Sequence, residues 1–348
     1  SLLFALFCAS GLFSSAVAQT TNYSRRFGGS DGDFPTAITT DNFGTYITGY
    51  TYSTNFPGAP RRVGAGPNDA DVFVTKLNDA GDIVWSVVIG GTGLDSPAAI
   101  APDSVGNVYI AGRTTSTNFP TTSALQSSPS GNGDAFVFKL NLVGDVQYST
   151  YLGGPGFDAA TAIAVNTNTF EAIVVGTTAE NLNGDVFITR LGPNGTNVTL
   201  STFLRGSDYD SPSAVALDQF KDIYVAGSTR SLDFPATPGA YRTEMSFGNV
   251  GEAFVTKLNR NTGAIVYSTF LAMPTASPLA LVVDSGEAAY IAGAEQFAVF
   301  GSPGAPTAPG APRPPPSVAW NSNAAFLVRL APSGSQLQYT RKYDTSGQ

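Results

Sequence analysis

The sequence contains no histidine and a single cysteine, Cys8, among 348 residues. Without histidine there can be no Ser-His-Asp triad, no Cys-His pair and no His-ligated zinc. Charge is sparse as well: only 13% of residues are charged, and acidic residues outnumber basic ones to give a net charge of -8. That balance argues against nucleic acid or an anionic membrane surface as a partner. Long stretches of 3.6-residue apolar periodicity are also missing, so helices are not expected. What is plentiful is glycine (38), proline (23), and aromatic and β-branched residues, the composition of short strands joined by tight turns.

The first residues differ from the rest. Leu2 to Phe13 is an uncharged, largely apolar run, and Ala16-Val17-Ala18 before Gln19 is a small-residue cleavage signal. Residues 1–18 therefore read as a secretory signal peptide, and the run is shorter than the roughly 20 residues a membrane span needs. The expectation is a secreted, cell-surface or periplasmic protein with no membrane span in its mature chain, residues 19–348. Cys8 lies inside the signal, after Ala5-Leu6-Phe7, which does not suit a lipoprotein site. The mature chain would then carry no disulfide and no thiol nucleophile. No Met and no basic segment precede Leu2, so the chain reads as truncated at its start.

The remainder is organised by repetition. An aromatic recurs as Phe73, Phe136, Phe187, Phe254 and Phe326, at intervals of roughly 50 to 70 residues. A glycine recurs in step in YITGY, YIAGR, IVVGT, YVAGS and YIAGA, as Gly49, Gly112, Gly176, Gly227 and Gly293. Each unit offers four strand-like segments; in the second they are Ala98 to Pro102, Asn107 to Gly112, Asp134 to Asn141 and Val146 to Gly153. The first is built on small residues such as Ala99-Ile100 and Ala162-Ile163, as suits an innermost strand where sheets converge. The third is apolar on both faces, as in Val72-Phe73-Val74, which a sheet sandwiched between sheets requires. The fold class expected is all-β: a β-propeller of four-stranded antiparallel blades. Five units are recognisable, approximately 30–92, 93–155, 156–207, 208–274 and 275–344. An extra N-terminal strand, Tyr23 to Gly28, precedes them, and the set reads as a fragment of a larger ring.

The segments DVFVTKLN, DAFVFKLN and EAFVTKLN, with YSTYLGGPGFDAATAIAV, YVAGSTRSLDFPATPGAY and TTSTNFP, resemble the SBBP repeat family. These are the seven-bladed β-propeller repeats of bacterial exported and surface proteins. The resemblance covers Tyr23 to Tyr343. The third unit departs from it by lacking Phe-Pro after Gly176, and the fifth by reading Ala272-Met273-Pro274-Thr275-Ala276 where Gly-Gly and Asp are expected. The family implies architecture and export, and no defined reaction.

The candidate functional residues are few. Gly28-Gly29, Gly90-Gly91 and Gly153-Gly154 precede strands, not helices, so they are turns and not phosphate cradles. The acidic residues that follow, Asp33, Asp95, Asp158 and Asp210, would lie near one mouth of a central channel. Two readings stand: a ring of oxygens for a cation such as Ca²⁺, or carboxylates that cap their own loops, the second being favoured. Long variable connections between second and third strands are expected on the same face, offering Arg61, Arg62, Tyr241 and Arg242 as ligand-binding candidates. The proline-rich stretch Ser302 to Pro316 reads as an exposed loop. Lys76, Lys139, Arg190, Lys257 and Arg329 recur once per unit and are expected to snorkel or to pair between blades.

The function expected is that of an exported, non-catalytic scaffold binding protein or glycan at its loop face, with no cofactor. One alternative is a propeller hydrolase or lyase acting on polysaccharide through loop carboxylates. Another is a spacer module of a larger surface protein.

Overall fold

Local pattern and packing agree in the computed structural model, which describes residues 24–66, 69–179, 183–245, 251–274, 276–295 and 324–343. The expected signal peptide and the proline-rich stretch lie outside the described residues. Among the described residues the chain is all-β and forms five sheets, every strand pairing antiparallel but one. The first holds β1 (Asp33–Asp41), β2 (Gly44–Thr51), β3 (Arg61–Val63), β4 (Asp71–Leu77) and β5 (Ile83–Ile89). The second holds β6 (Asp95–Pro102), β7 (Val108–Thr114), β8 (Asp134–Leu140) and β9 (Val146–Leu152). The third holds β10 (Asp158–Asn166), β11 (Glu171–Thr178), β12 (Asp185–Leu191) and β13 (Val198–Leu204). The fourth holds β14 (Asp210–Leu217), β15 (Ile223–Thr229), β16 (Glu252–Leu258) and β17 (Ile265–Pro274). The fifth holds β18 (Ala276–Val283), β19 (Ala289–Glu295), β20 (Ala324–Leu330) and β21 (Leu337–Tyr343).

Each sheet is a blade whose strands follow chain order, except that β3 of the first lies outside β5, and the first strands of successive blades pack side by side. The third strands are sandwiched as their sequence demands: every residue of β4 and of β16 is buried. Burial of such strands on both faces, at about 25 cal/mol per Å² of apolar surface, is what holds blade to blade. The strand aromatics Phe73, Phe136, Phe187, Phe254 and Phe326 are all buried. The recurrent glycine of the second strand has a steric cause. A Cβ on Gly112 would stand 2.2 Å from Ser96 O and 2.8 Å from the Phe136 ring, because the first strand bulges between Pro97 and Ala99. The turn at Val143-Gly144-Asp145 is capped by Asn141, which accepts from the Val143 and Asp145 amides, and Gly144 takes φ 85°.

Two sequence expectations need correction. The extra strand expected at Tyr23 to Gly28 does not form over its described part: residues 24–29 have no strand structure. A strand needs a neighbour with free ladder groups, and among the described residues no strand pairs with this segment. Phe27 instead packs edge-on against Phe56, with ring centroids 6.3 Å apart. The long connections, moreover, do not project freely. In blade one the connection forms β3; in blade two Thr122 bridges Ser149; in blade four the Thr237 amide donates to Ser268 O at 3.0 Å. Each strap occupies the hydrogen-bonding edge of the outermost strand, where an open ladder would invite strand addition.

Candidate functional site

The fourth strand of one blade reaches the first strand of the next through a glycine loop, and these loops gather at one end of the blades. Each expected aspartate closes its own loop. Asp33, Asp95, Asp158 and Asp210 accept the amides of Gly29, Gly91, Gly154 and Gly206 at 2.7, 2.6, 2.8 and 2.8 Å. The second strand adds a hydroxyl, Thr51 to Asp33 at 2.5 Å and Thr114 to Asp95. Ser116 and Ser231 reach Asp95 and Asp210 at 3.0 and 3.1 Å. Burial pushes the Asp95 carboxyl above its ordinary range, against the pull of the Thr114, Gly91 and Ser116 donors. Asp210 is pushed up to about 6 by burial, again opposed by its donors. Among the described residues, no three acidic, histidine or cysteine side chains converge as a metal-ligand group.

Residues not singled out from sequence complete three of the four loops. Ser53, Ser116 and Ser231 accept the amides of Asp31, Gly93 and Asp208 at 2.9, 2.8 and 2.9 Å. Asn55, Asn118 and Asp233 accept those of Ser30, Thr92 and Ser207 at 2.8, 2.9 and 2.8 Å. The Phe of the same motif then turns inward: Phe56 lies on Phe73 and Phe119 on Phe136, at 4.6 and 4.8 Å between centroids. The signal was present in the sequence as Ser-x-Asn/Asp-Phe-Pro; its meaning depends on the glycine loop it grips.

Above this buried polar layer the same end exposes aromatics. Phe34 and Tyr52 from blade one, Phe157 from the glycine loop of Gly154 and Tyr209 from that of Gly206 are all solvent-exposed. Phe34 stacks on Tyr50 at 5.0 Å, and Tyr52 stands edge-on to both. Arg113 lies over the Phe157 ring at 5.6 Å.

The four ligand-binding candidates lie on the connections that form the straps. Arg61 and Arg62 are in β3 at the outer edge of blade one, and Arg62 donates to Ser53 O at 3.1 Å and to Asp71 at 3.4 Å. The Tyr241 amide donates to Gly334 O at 2.8 Å, and the Arg242 amide to Thr269 Oγ1 at 2.9 Å. The Tyr241 and Arg242 amides fasten a strap, and Arg62 ties its own to Asp71 beside the glycine loop at Gly90. Arg62 also borders a cleft of 490 Å³ between blades one and two, with Val63, Ile89, Pro120 and Asp145. The recurrent cations sit at the opposite hairpins. Lys257 bridges Asp218 of its own blade at 3.1 Å and Glu287 of the next at 2.7 Å.

With this geometry in view, comparison places the repeats. The profile of the SBBP beta-propeller repeat matches residues 22–57 and 84–120, so these stretches are SBBP repeats. No curated protein matches the chain. Among solved structures it is similar to a protein of unknown function from Dyadobacter fermentans DSM 18053, with TM-score 0.51, 8% identity, and 91% of this chain and 84% of that one covered. Hydrazine synthase of Kuenenia stuttgartiensis follows with TM-score 0.46, 12% identity and coverage of 92% and 70%. BamB from Moraxella catarrhalis gives TM-score 0.40, 11% identity and coverage of 90% and 66%. At 8% identity the likeness to the Dyadobacter protein is one of fold.

Proposed function

We propose that this chain of SBBP-type β-propeller repeats is an exported, non-catalytic scaffold that binds a protein or a glycan through its glycine-loop end. The observation that carries the reading is the exposed set Phe34, Tyr52, Phe157 and Tyr209, held above a rigid, hydrogen-bonded polar layer. Aromatic side chains with Arg beside them are the residue types that dominate recognition surfaces, since each offers a large area at little entropic cost. The carboxylates below them are buried and engaged with loop donors, which suits support better than attack on a substrate. Export rests on the N-terminal segment read from sequence.

The test is a glycan array, followed by calorimetry on any hit, with the whole chain and a Phe34→Ser/Tyr52→Ser/Tyr209→Ser variant. Binding that the variant loses, at an unchanged unfolding midpoint, supports the reading. Release of reducing sugars by the wild type would sink the non-catalytic claim. Equal binding by both proteins would move the site away from this end, and the cleft beside Arg62 would be the next place to mutate.

A further inference from the structure

The first residue of the third strand is acidic in four blades, Asp71, Asp134, Asp185 and Glu252, and in the first two it faces the next blade's capping aspartate across the glycine loop. At the first junction Asp71 Oδ1 and Asp95 Oδ2 lie 2.1 and 2.8 Å from one point, the Cβ that Gly90 lacks, so they are no more than 4.9 Å apart. At the second, Asp134 Oδ1 and Asp158 Oδ2 lie 2.4 and 2.7 Å from the missing Cβ of Gly153, so no more than 5.1 Å apart. All four carboxyls are buried. Asp71 Oδ1 and Asp134 Oδ1, both on fully buried residues, have no hydrogen-bond partner.

Two like charges cannot both be held in such a place without compensation. Around Asp71 the charged groups are Asp95 of β6, Asp69 of the preceding loop and Arg62 of β3, whose guanidinium reaches only the other oxygen, at 3.4 Å. Asp134 faces Asp158 of β10 and accepts the Ser130 amide at 2.9 Å. Among the described residues no basic side chain lies within ion-pair distance of Asp134 or Asp158. A divalent cation suits the first pair poorly: Asp95 already takes donors from Gly91, Thr114 and Ser116, and Asp71 Oδ1 rests against the Gly90 backbone. A proton needs no space. We propose that Asp71 with Asp95, and Asp134 with Asp158, are proton-holding carboxyl pairs that clamp adjacent blades at mildly acidic pH and loosen as pH rises.

Burial, then the charge of Asp95, pushes the Asp71 carboxyl up to about 7, and burial raises Asp134. An aspartate in the unfolded chain titrates near ~3.9. Between those values the native state keeps a proton that the unfolded chain has released, so stability falls as pH rises through the interval and levels off above about 7. At the third junction Arg205 lies 3.4 Å from Asp185 and supplies positive charge instead. At the fourth, Ala276 replaces the capping aspartate.

The experiment is thermal unfolding of the whole chain across about pH 5 to 8 for wild type, Asp71→Asn, Asp134→Asn and their double variant. The neutral amide imitates the protonated acid. The expected result is a wild-type melting temperature that falls across the interval, a flatter profile for each single variant, and a double variant more stable than wild type at the alkaline end. Amide exchange of the wild-type peptides spanning 90–95 and 153–158, corrected for intrinsic rate, reads the same loosening without mutation. A flat wild-type profile, or variants destabilised at the alkaline end, would overturn the proposal. So would a rise in melting temperature with Ca²⁺ that the double variant abolishes, since the pairs would then hold metal.

Discussion

Phe119 lies flat on Phe136, the ring centroids 4.8 Å apart and the planes 22° from parallel, and its amide donates to the Tyr151 hydroxyl at 2.8 Å. The Tyr151 hydroxyl in turn donates to Ser116 O at 2.7 Å. One stacked pair thus fixes the glycine loop, the strap and the third strand of a blade together. Phe234 repeats the placement over Phe254 at 4.4 Å. Phe119→Ala should cost about 3–5 kcal/mol, the usual range for emptying a buried aromatic site. Urea unfolding checks it, and a cost under about 1 kcal/mol would mean the stack is incidental.

Asp95→Ala should leave the Gly91 amide and the Thr114 and Ser116 hydroxyls without their acceptor in a buried site. Each unsatisfied group costs about 1–3 kcal/mol, so the loss should be severe. Isothermal titration with Ca²⁺ on wild type and variant separates the two readings of these aspartates. A loss of stability with no change in Ca²⁺ binding supports capping; a lost Ca²⁺ heat supports the cation ring.

Much of the architecture was legible from single residues. The buried third-strand phenylalanines, the small inner strands and the glycine of the second strand all follow from a sheet packed on both faces. Less was legible where a residue's role depends on a distant partner. Asp95 could be read as a cap because its glycines are four residues away, whereas Asp71 drew no attention, since its neighbour across the junction is 24 positions on in sequence. Arg62 looked like an exposed loop residue because nothing local shows that its connection turns back to pair with β5. The strand expected at Tyr23 to Gly28 failed for a related reason: a strand-like pattern does not supply the neighbour a strand requires.

Lys257 tests the buried charge layer at the hairpin end. Burial alone would lower its pKa, but Glu287, Tyr224 and Asp218 overcome that and hold it above its ordinary value. A raised folded value means its contribution is complete below the unfolded pKa of about 10.4 and is lost only as pH rises beyond it. Lys257→Met should therefore cost a constant about 3–5 kcal/mol from neutral to mildly alkaline pH, because it strands the buried Asp218 carboxylate. Arg25→Met, which breaks an exposed pair with Asp82, should cost at most about 1 kcal/mol. Denaturant midpoints of the two variants decide it, and equal effects would sink the assignment.

Ile38 and Ile100 hold the same position in the first strands of blades one and two, yet Ile38 is 54% exposed and Ile100 only 9%. Ile163 and Leu281 at the corresponding places are 8% and 7% exposed. Pattern alone cannot produce that difference; only the presence of a preceding blade can. Ile100→Lys forces a charge into the interface with blade one and should unfold the chain or cost several kcal/mol. Ile38→Lys places its charge in water and should change stability by no more than about 0.5 kcal/mol. Both variants can be read by thermal unfolding of the purified chain at one pH. If Ile38→Lys proved as damaging as Ile100→Lys, the face of blade one would be covered in solution, and size measurement by light scattering would show whether a second copy covers it.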